Sequence, residues 1–172
     1  MSPDFLSQQE EGDLIALFRT MTWGNVQMRG ITAKRRVVQF GWHYSFESFR
    51  VTPAKPAPPE LDGIRARAAE IAGVQAEDFG ETLVTEYSPG AGIGWHRDAP
   101  PFGIVAGISL GDNCRMRFQK GEGRDRRTAA VELPPRSLYL LTGEARSEWQ
   151  HTIPAVKELR YSITFRTLRR SS

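Results

Sequence analysis

Three side chains carry the most explicit chemical signal in this sequence: His96, Asp98 and His151. His96 and Asp98 form an H-x-D pair. On an extended backbone, residues two apart point the same way, so an imidazole and a carboxylate can converge on one ion. A second imidazole from His151 would complete two histidines and one carboxylate, the facial arrangement of non-haem Fe(II) sites, which leaves coordination positions open for substrates. The same residues are also compatible with a chance H-x-D and a hydrogen-bonded surface histidine. The chain has one other histidine, His43, and one cysteine, Cys114. A lone cysteine excludes both an internal disulfide framework and a multi-thiolate zinc site, and its position within a strand-like run reads as a small core residue.

A second constellation lies near the C-terminus. Arg160-Tyr161-Ser162-Ile163-Thr164-Phe165-Arg166 alternates without a break. As a strand it places Arg160, Ser162, Thr164 and Arg166 on one face and Tyr161, Ile163 and Phe165 on the other. The apolar set should meet the core. The polar set then lines a cavity or faces solvent. The two arginines are about 20 Å apart along a straight strand. They could engage the two ends of a short dicarboxylate, or one could pair with an internal acid, since guanidinium binds carboxylates bidentately and keeps its charge. A third set precedes the H-x-D: in Thr82–Tyr87, Thr85 and Tyr87 share a face, opposite Val84 and Glu86. Their hydroxyls are hydrogen-bond donors suited to a carboxylate.

The elements that must position these residues follow from pattern. Ser7-Gln8-Gln9-Glu10 has the form of a capping box ahead of Leu14, Ile15, Leu17 and Phe18, and predicts a first helix that stops near Trp23-Gly24-Asn25. Ile31–Tyr44 reads as one or two short strands. The proline-rich run from Val51 to Pro59 reads as an extended loop, because proline lacks the amide donor. Leu61, Ile64, Ala68 and Ile71 recur at helical spacing and predict a second helix ending near Gly73. Short β-like runs follow: Thr82–Tyr87, Gly103–Leu110, Cys114–Gln119, Ala129–Leu133, Ser137–Thr142 and Tyr161–Leu168. Their spacing predicts an antiparallel sandwich or barrel. Helices followed by a β core define an α+β protein. The 172 residues suit one domain, with 1–79 supplying helices and a lid and 80–168 the β core. A net charge of +3 permits a polyanionic partner without requiring one. No apolar run approaches the length of a membrane span, and Met1-Ser2-Pro3-Asp4 lacks a basic and an apolar leader region, so a cytoplasmic protein is expected.

Taken in order, Leu83-Val84-Thr85-Glu86-Tyr87-Ser88-Pro89-Gly90, Trp95-His96-Arg97-Asp98, Ile108-Ser109-Leu110-Gly111, His151 and Arg160-x-Ser162-x-Thr164-Phe165-Arg166 resemble the AlkB family of Fe(II)- and 2-oxoglutarate-dependent dioxygenases. The resemblance covers about half the chain, from Gly80 to Leu168. Leu133–Leu138 and Leu141–Arg146 look like the segment that leads to the distal histidine in this family's RNA-directed branch. The resemblance implies a double-stranded β-helix (jelly roll) with supporting N-terminal helices and a nucleotide-recognition lid. It implies Fe(II), 2-oxoglutarate and O2 as cofactors. His96, Asp98 and His151 would bind iron. Arg160 would pair with the distal carboxylate of 2-oxoglutarate, Arg166 would lie near its metal-chelating end, and Tyr87 would hydrogen-bond it. Where the family often has asparagine, this chain has Thr85 and Ser162, which keep a hydrogen-bonding group on a shorter side chain.

The implied reaction is oxidative demethylation of an alkylated base in DNA or RNA, releasing succinate, CO2 and formaldehyde. Hydroxylation or demethylation of a tRNA base or of a protein side chain is the alternative, and a non-catalytic jelly-roll binding module is a third class. The implied lid runs from Phe40 through the proline-rich stretch. There Trp42, His43, Tyr44 and Phe46 could stack on a base or fill core. Lys34-Arg35-Arg36, Arg124-x-Arg126-Arg127 and Arg169-Arg170 could contact phosphates or lie in solvent. Alkylated DNA or RNA is the expected partner, with no membrane, and a monomer is expected.

Overall fold

The computed structural model describes residues 1–28, 31–45 and 48–169; Phe46 and Arg170 lie outside the described residues. The first helix, α1 (Gln8–Phe18), starts where the capping box predicts. The Ser7 hydroxyl accepts from the Glu10 amide at 3.0 Å, and the Ser7 amide donates to the Glu10 carboxylate at 3.0 Å. The helix ends at Phe18, ahead of the expected stop near Trp23-Gly24-Asn25, and the Trp23 indole donates to the Phe18 carbonyl at 3.2 Å. Gly24–Met28 then forms strand β1 instead of a helix stop.

Strand β2 (Ile31–Ser45) is a single strand of fifteen residues. It pairs with β1, then with β4 (Phe79–Tyr87) from Arg36 to Gly41, and from Trp42 onward with β3 (Arg50–Pro53). The change of partner falls at Gly41, whose φ is +79° and where a Cβ would stand 2.0 Å from the Gly80 carbonyl oxygen. Only glycine fits that elbow. Part of the proline-rich run is therefore an edge strand, with Pro53 at its end, where its missing donor costs no ladder bond. Helix α2 (Asp62–Ala72) follows and stops at Gly73, with φ +73°.

Seven strands form the larger sheet, in the order β1-β2-β4-β11-β6-β9, with β3 joined to β2. Here β6 is Phe102–Gly111, β9 is Leu138–Leu141 and β11 is Arg160–Leu168. Four strands form the smaller sheet, in the order β5-β10-β7-β8, with β5 at Ile93–His96, β7 at Cys114–Lys120, β8 at Arg127–Leu133 and β10 at Gln150–Ile153. A short helix, α3 (Gly143–Ser147), lies between β9 and β10. All ladders among the described residues are antiparallel. The result is a jelly roll. Strands β5 and β10 have no alternating pattern in the sequence, being only four residues each.

The larger sheet separates its two faces cleanly. Val38, Phe40, Val84, Ile108, Leu110, Tyr161, Ile163 and Phe165 pack with Leu14 and Phe18 of α1 and with Ile64 and Ala68 of α2 in one apolar core. The helices therefore cover one face and brace it. The opposite face turns towards the smaller sheet, where a second core of Cys114, Met116, Leu133, Ile153 and Val156 lies beside Tyr87. Among the described residues no helix is long and apolar enough to cross a membrane.

Candidate metal centre and cosubstrate site

Pairing of β10 between β5 and β7 sets His151 opposite His96 and opposite Phe118. His96 is the last residue of β5, and Asp98 follows two residues later, so all three groups project between the sheets. The Asp98 Oδ1 atom lies 3.7 Å from His96 Nε2 and 3.5 Å from His151 Nε2. One ligand atom from each residue falls within 4.8 Å of the others. The His96 Nδ1 atom lies 2.8 Å from the Gly94 carbonyl oxygen, which fixes the ring with Nε2 towards the centre.

The electrostatics suit a cation. Burial opposes ionisation of Asp98, but the Arg166 guanidinium and the two imidazoles outweigh it and hold the carboxyl at about 2. Burial, aided by His96, pushes His151 down to about 4, and burial also lowers His96. At neutral pH the centre thus offers two neutral imidazoles and one carboxylate, the protonation state a divalent metal requires. The second carboxylate oxygen, Oδ2, accepts from Arg166 Nε at 2.7 Å.

The two strand arginines take different partners. Arg166 pairs with internal acids: besides Asp98, its Nη1 donates to Glu81 Oε1 at 2.6 Å. Its guanidinium is thus shared between two internal acids while it also lines the cavity between the sheets. Arg160 is fully buried at 0% exposure, yet only its Nε is bonded, to Ser109 Oγ at 3.0 Å. Its Nη1 and Nη2 have no hydrogen-bond partner, and its guanidinium lies 4.9 Å from the centre of the Tyr87 ring. A buried guanidinium with two unsatisfied nitrogens is costly by several kcal/mol unless an anion meets it. The donor set fits Fe(II), and the two unbonded nitrogens of buried Arg160 fit one carboxylate of 2-oxoglutarate.

A cavity of about 520 Å³ runs between the sheets, lined among others by Thr85, Tyr87, His96, Asp98, Tyr139, Ser162 and Arg166. The alternation read from the sequence thus delivers the polar face of β4 and β11 to a cavity and not to solvent. From the N-terminal strands come Asn25, Arg35, Gln39, His43 and Tyr44. Tyr44 is buried edge-on against Phe102, with ring centres 6.3 Å apart. The His43 Nδ1 atom contacts the Gln39 side-chain oxygen. Trp42, a sequence candidate for the same wall, is not one of the lining residues: it lies against Gly80 and near Leu168, outside the cavity.

The basic runs divide. Arg35 lines the cavity, Arg36 pairs with Glu86 at 2.7 Å, and Lys34 is exposed. Arg124, Arg126 and Arg127 are exposed, and Arg169 donates to the Phe102 carbonyl at 3.0 Å. Sequence reading missed Glu81 and Tyr139. Glu81 sits one residue ahead of the recognisable run and resembles a solvated strand start. Tyr139 lies in an apolar run with no polar alternation to mark it.

A family model described as the 2OG-Fe(II) oxygenase superfamily matches residues 1–166. The chain is 31% identical over 159 residues to the mouse (Mus musculus) protein named tRNA (carboxymethyluridine(34)-5-O)-methyltransferase ALKBH8, covering 87% of this chain and 23% of that one. It is 28% identical over 196 residues to the Arabidopsis thaliana protein named Alkylated DNA repair protein ALKBH8 homolog, covering 99% and 55%. It is 35% identical over 101 residues to a mimivirus protein named Uncharacterized protein L905, from Acanthamoeba polyphaga mimivirus, covering 51% and 48%. The chain thus spans from under a quarter to just over half the length of these relatives.

Proposed function

This chain belongs to the 2OG-Fe(II) oxygenase superfamily, as an AlkB-like member with Fe(II), 2-oxoglutarate and O2 as its cofactors, and from that premise we propose that it oxidises an alkyl substituent on a nucleic-acid base. One observation carries the reading: in the His96–Asp98–His151 cluster, His96 and Asp98 line the same cavity as Tyr87, and against the Tyr87 ring is stacked Arg160, with both Nη atoms unbonded. In the proposed assignment the two imidazoles and Asp98 hold the iron. Arg160 takes the far carboxylate of 2-oxoglutarate, aided by the Tyr87 hydroxyl. Thr85 and Ser162, opposite each other across the β4–β11 ladder, supply shorter hydrogen-bonding contacts. Arg166 keeps Asp98 anionic and occupied on one oxygen.

When bound, the iron with 2-oxoglutarate and O2 supplies oxidation of a C–H bond, and the keto acid leaves as succinate and CO2. Tyr44 and Phe102, packed edge-on, form one wall of the cavity. The target base enters past His43 and Gln39. An N-methyl target would gain a hydroxyl group and then lose formaldehyde, restoring the N–H. The protein acts as a monomer in the cytoplasm in this reading.

A second reading has a specific support. Two of the relatives carry the ALKBH8 name, and one is named for a tRNA uridine, so hydroxylation of a tRNA base substituent without loss of formaldehyde is the competing outcome. A paired assay separates them. Succinate and formaldehyde are measured together on oligonucleotides bearing 1-methyladenine or 3-methylcytosine and on bulk tRNA. Equal yields of both products on the oligonucleotides support demethylation. Succinate without formaldehyde on tRNA supports hydroxylation. No nucleic-acid-dependent succinate on any substrate overturns the proposal.

A further inference from the structure

Glu81 belongs to no motif that the sequence offers, yet it is one of the least exposed acids in the chain, at 2%. Strand β4 pairs with β11 so that Glu81 stands opposite Arg166. The Arg166 guanidinium then spans two carboxylates: Nη1 to Glu81 Oε1 at 2.6 Å, and Nε to Asp98 Oδ2 at 2.7 Å. Arg166 is itself mostly buried, and its ring neighbour Phe102, 5.6 Å from the guanidinium carbon, restricts it on one face. A guanidinium is planar and its donors are fixed relative to one another. Anchoring Nη1 therefore fixes the direction of Nε.

Asp98 comes from an irregular segment after β5, with no ladder of its own to hold it. Its carboxylate has two oxygens that a metal could take. Only the bond from Arg166 distinguishes them, because Oδ1 faces both imidazoles while Oδ2 faces the guanidinium. We propose that Glu81 is a positioning residue: by anchoring Arg166 it commits Asp98 Oδ2 to the protein, so that Asp98 offers a metal Oδ1 alone. A one-oxygen carboxylate leaves one more coordination position free than a chelating one, and a facial triad depends on such positions.

The inference rests on the reading of His96, Asp98 and His151 as metal ligands, and the test separates the two. Co(II) serves as the probe, added to the full chain without 2-oxoglutarate, with affinity and visible absorption as readouts. Neither depends on turnover. His96→Ala should lose Co(II) binding; if it binds like the wild type, the metal reading itself fails.

Glu81→Gln keeps a carbonyl oxygen for Arg166 and should stay within about threefold of the wild-type affinity, with the wild-type spectrum. Glu81→Asp keeps the charge but withdraws the anchor by one methylene. It should weaken Co(II) binding about tenfold, in the range that outer partners of ligands command, and change the absorption as the carboxylate swings to chelate. Glu81→Gln is isosteric and Glu81→Asp is smaller by one methylene, and circular dichroism checks the fold of both. Wild-type affinity and spectrum in Glu81→Asp, or a Gln variant weaker than the Asp variant, overturns the proposal.

Discussion

Arg160 and the three clustered ligands have opposite relations to their surroundings. In the cluster the Asp98 carboxylate is met by the Arg166 guanidinium, its Oδ2 accepting from Nε. Arg160 is not so met, and its buried Nη atoms place a standing cost on the ligand-free protein. Replacing it by methionine should therefore raise the Tm of the ligand-free protein while abolishing the further rise that 2-oxoglutarate produces with Mn(II). Differential scanning fluorimetry reads both, and a ligand-free Tm that drops would show that the stacking on Tyr87 and the bond to Ser109 outweigh the orphaned donors. Arg160→Ala should raise the 2-oxoglutarate half-saturation by about tenfold to a hundredfold, the range of a charge-assisted contact.

Protons act on the same residues with a definite sign. His151 titrates at about 4 in the fold against an ordinary 6.5, and Asp98 at about 2 against 3.8. Both are depressed, so their contribution to stability is complete above about pH 6.5 and is lost as pH falls through about 4 and then about 2. Urea titrations of the metal-free protein should show a stability plateau above about pH 6.5 and a decline below it. A decline that instead begins on the alkaline side would contradict neutral imidazoles in the fold.

At the scale of elements, the alternation of β11 is what made the site legible. Seven residues with no interruption left one arrangement of faces, and the fold keeps it. The capping box at Ser7 was legible for a similar reason, because two side chains and two amides satisfy each other locally. What escaped reading is governed by partners far away in sequence. Strand β1 begins on Gly24 and Asn25, which in sequence signal a stop, and it pairs along the edge that β2 offers. Strands β5 and β10 are too short to show a period, though they carry His96 and His151. Arg35 reads as one of three similar cations, and its alternation with Val37 and Gln39 on β2 puts it on the cavity wall.

Gly107 shows how tightly these elements meet. It pairs with Tyr139 across β6 and β9, and a Cβ there would stand 2.1 Å from the tyrosine Cζ. Gly107→Ala should therefore push the Tyr139 ring into the cavity. The expected results are a loss of about 1–3 kcal/mol in denaturant unfolding and a weaker 2-oxoglutarate affinity in titration. Unchanged affinity would mean that the ring has room to move elsewhere.

For the molecule as a whole, ligand and fold are linked. If 2-oxoglutarate and Mn(II) bind only the folded chain, then saturation at about a hundred times Kd should stabilise it by about 2.7 kcal/mol. In a chain of this size that corresponds to a rise of roughly 5–10 °C in Tm. The absence of any rise with both ligands present would argue against the assigned site. The elbow at Gly41 adds a different consequence. Before it, β2 is a rib of the main sheet; beyond it, the same strand leaves the sheet as an arm with β3, while the iron-facing residues come from the other sheet and the segment after it. The metal ligands and the arm thus come from separate pieces of chain, and substitutions at His43 or Tyr44 should alter what the cavity holds while leaving metal binding by His96, Asp98 and His151 intact.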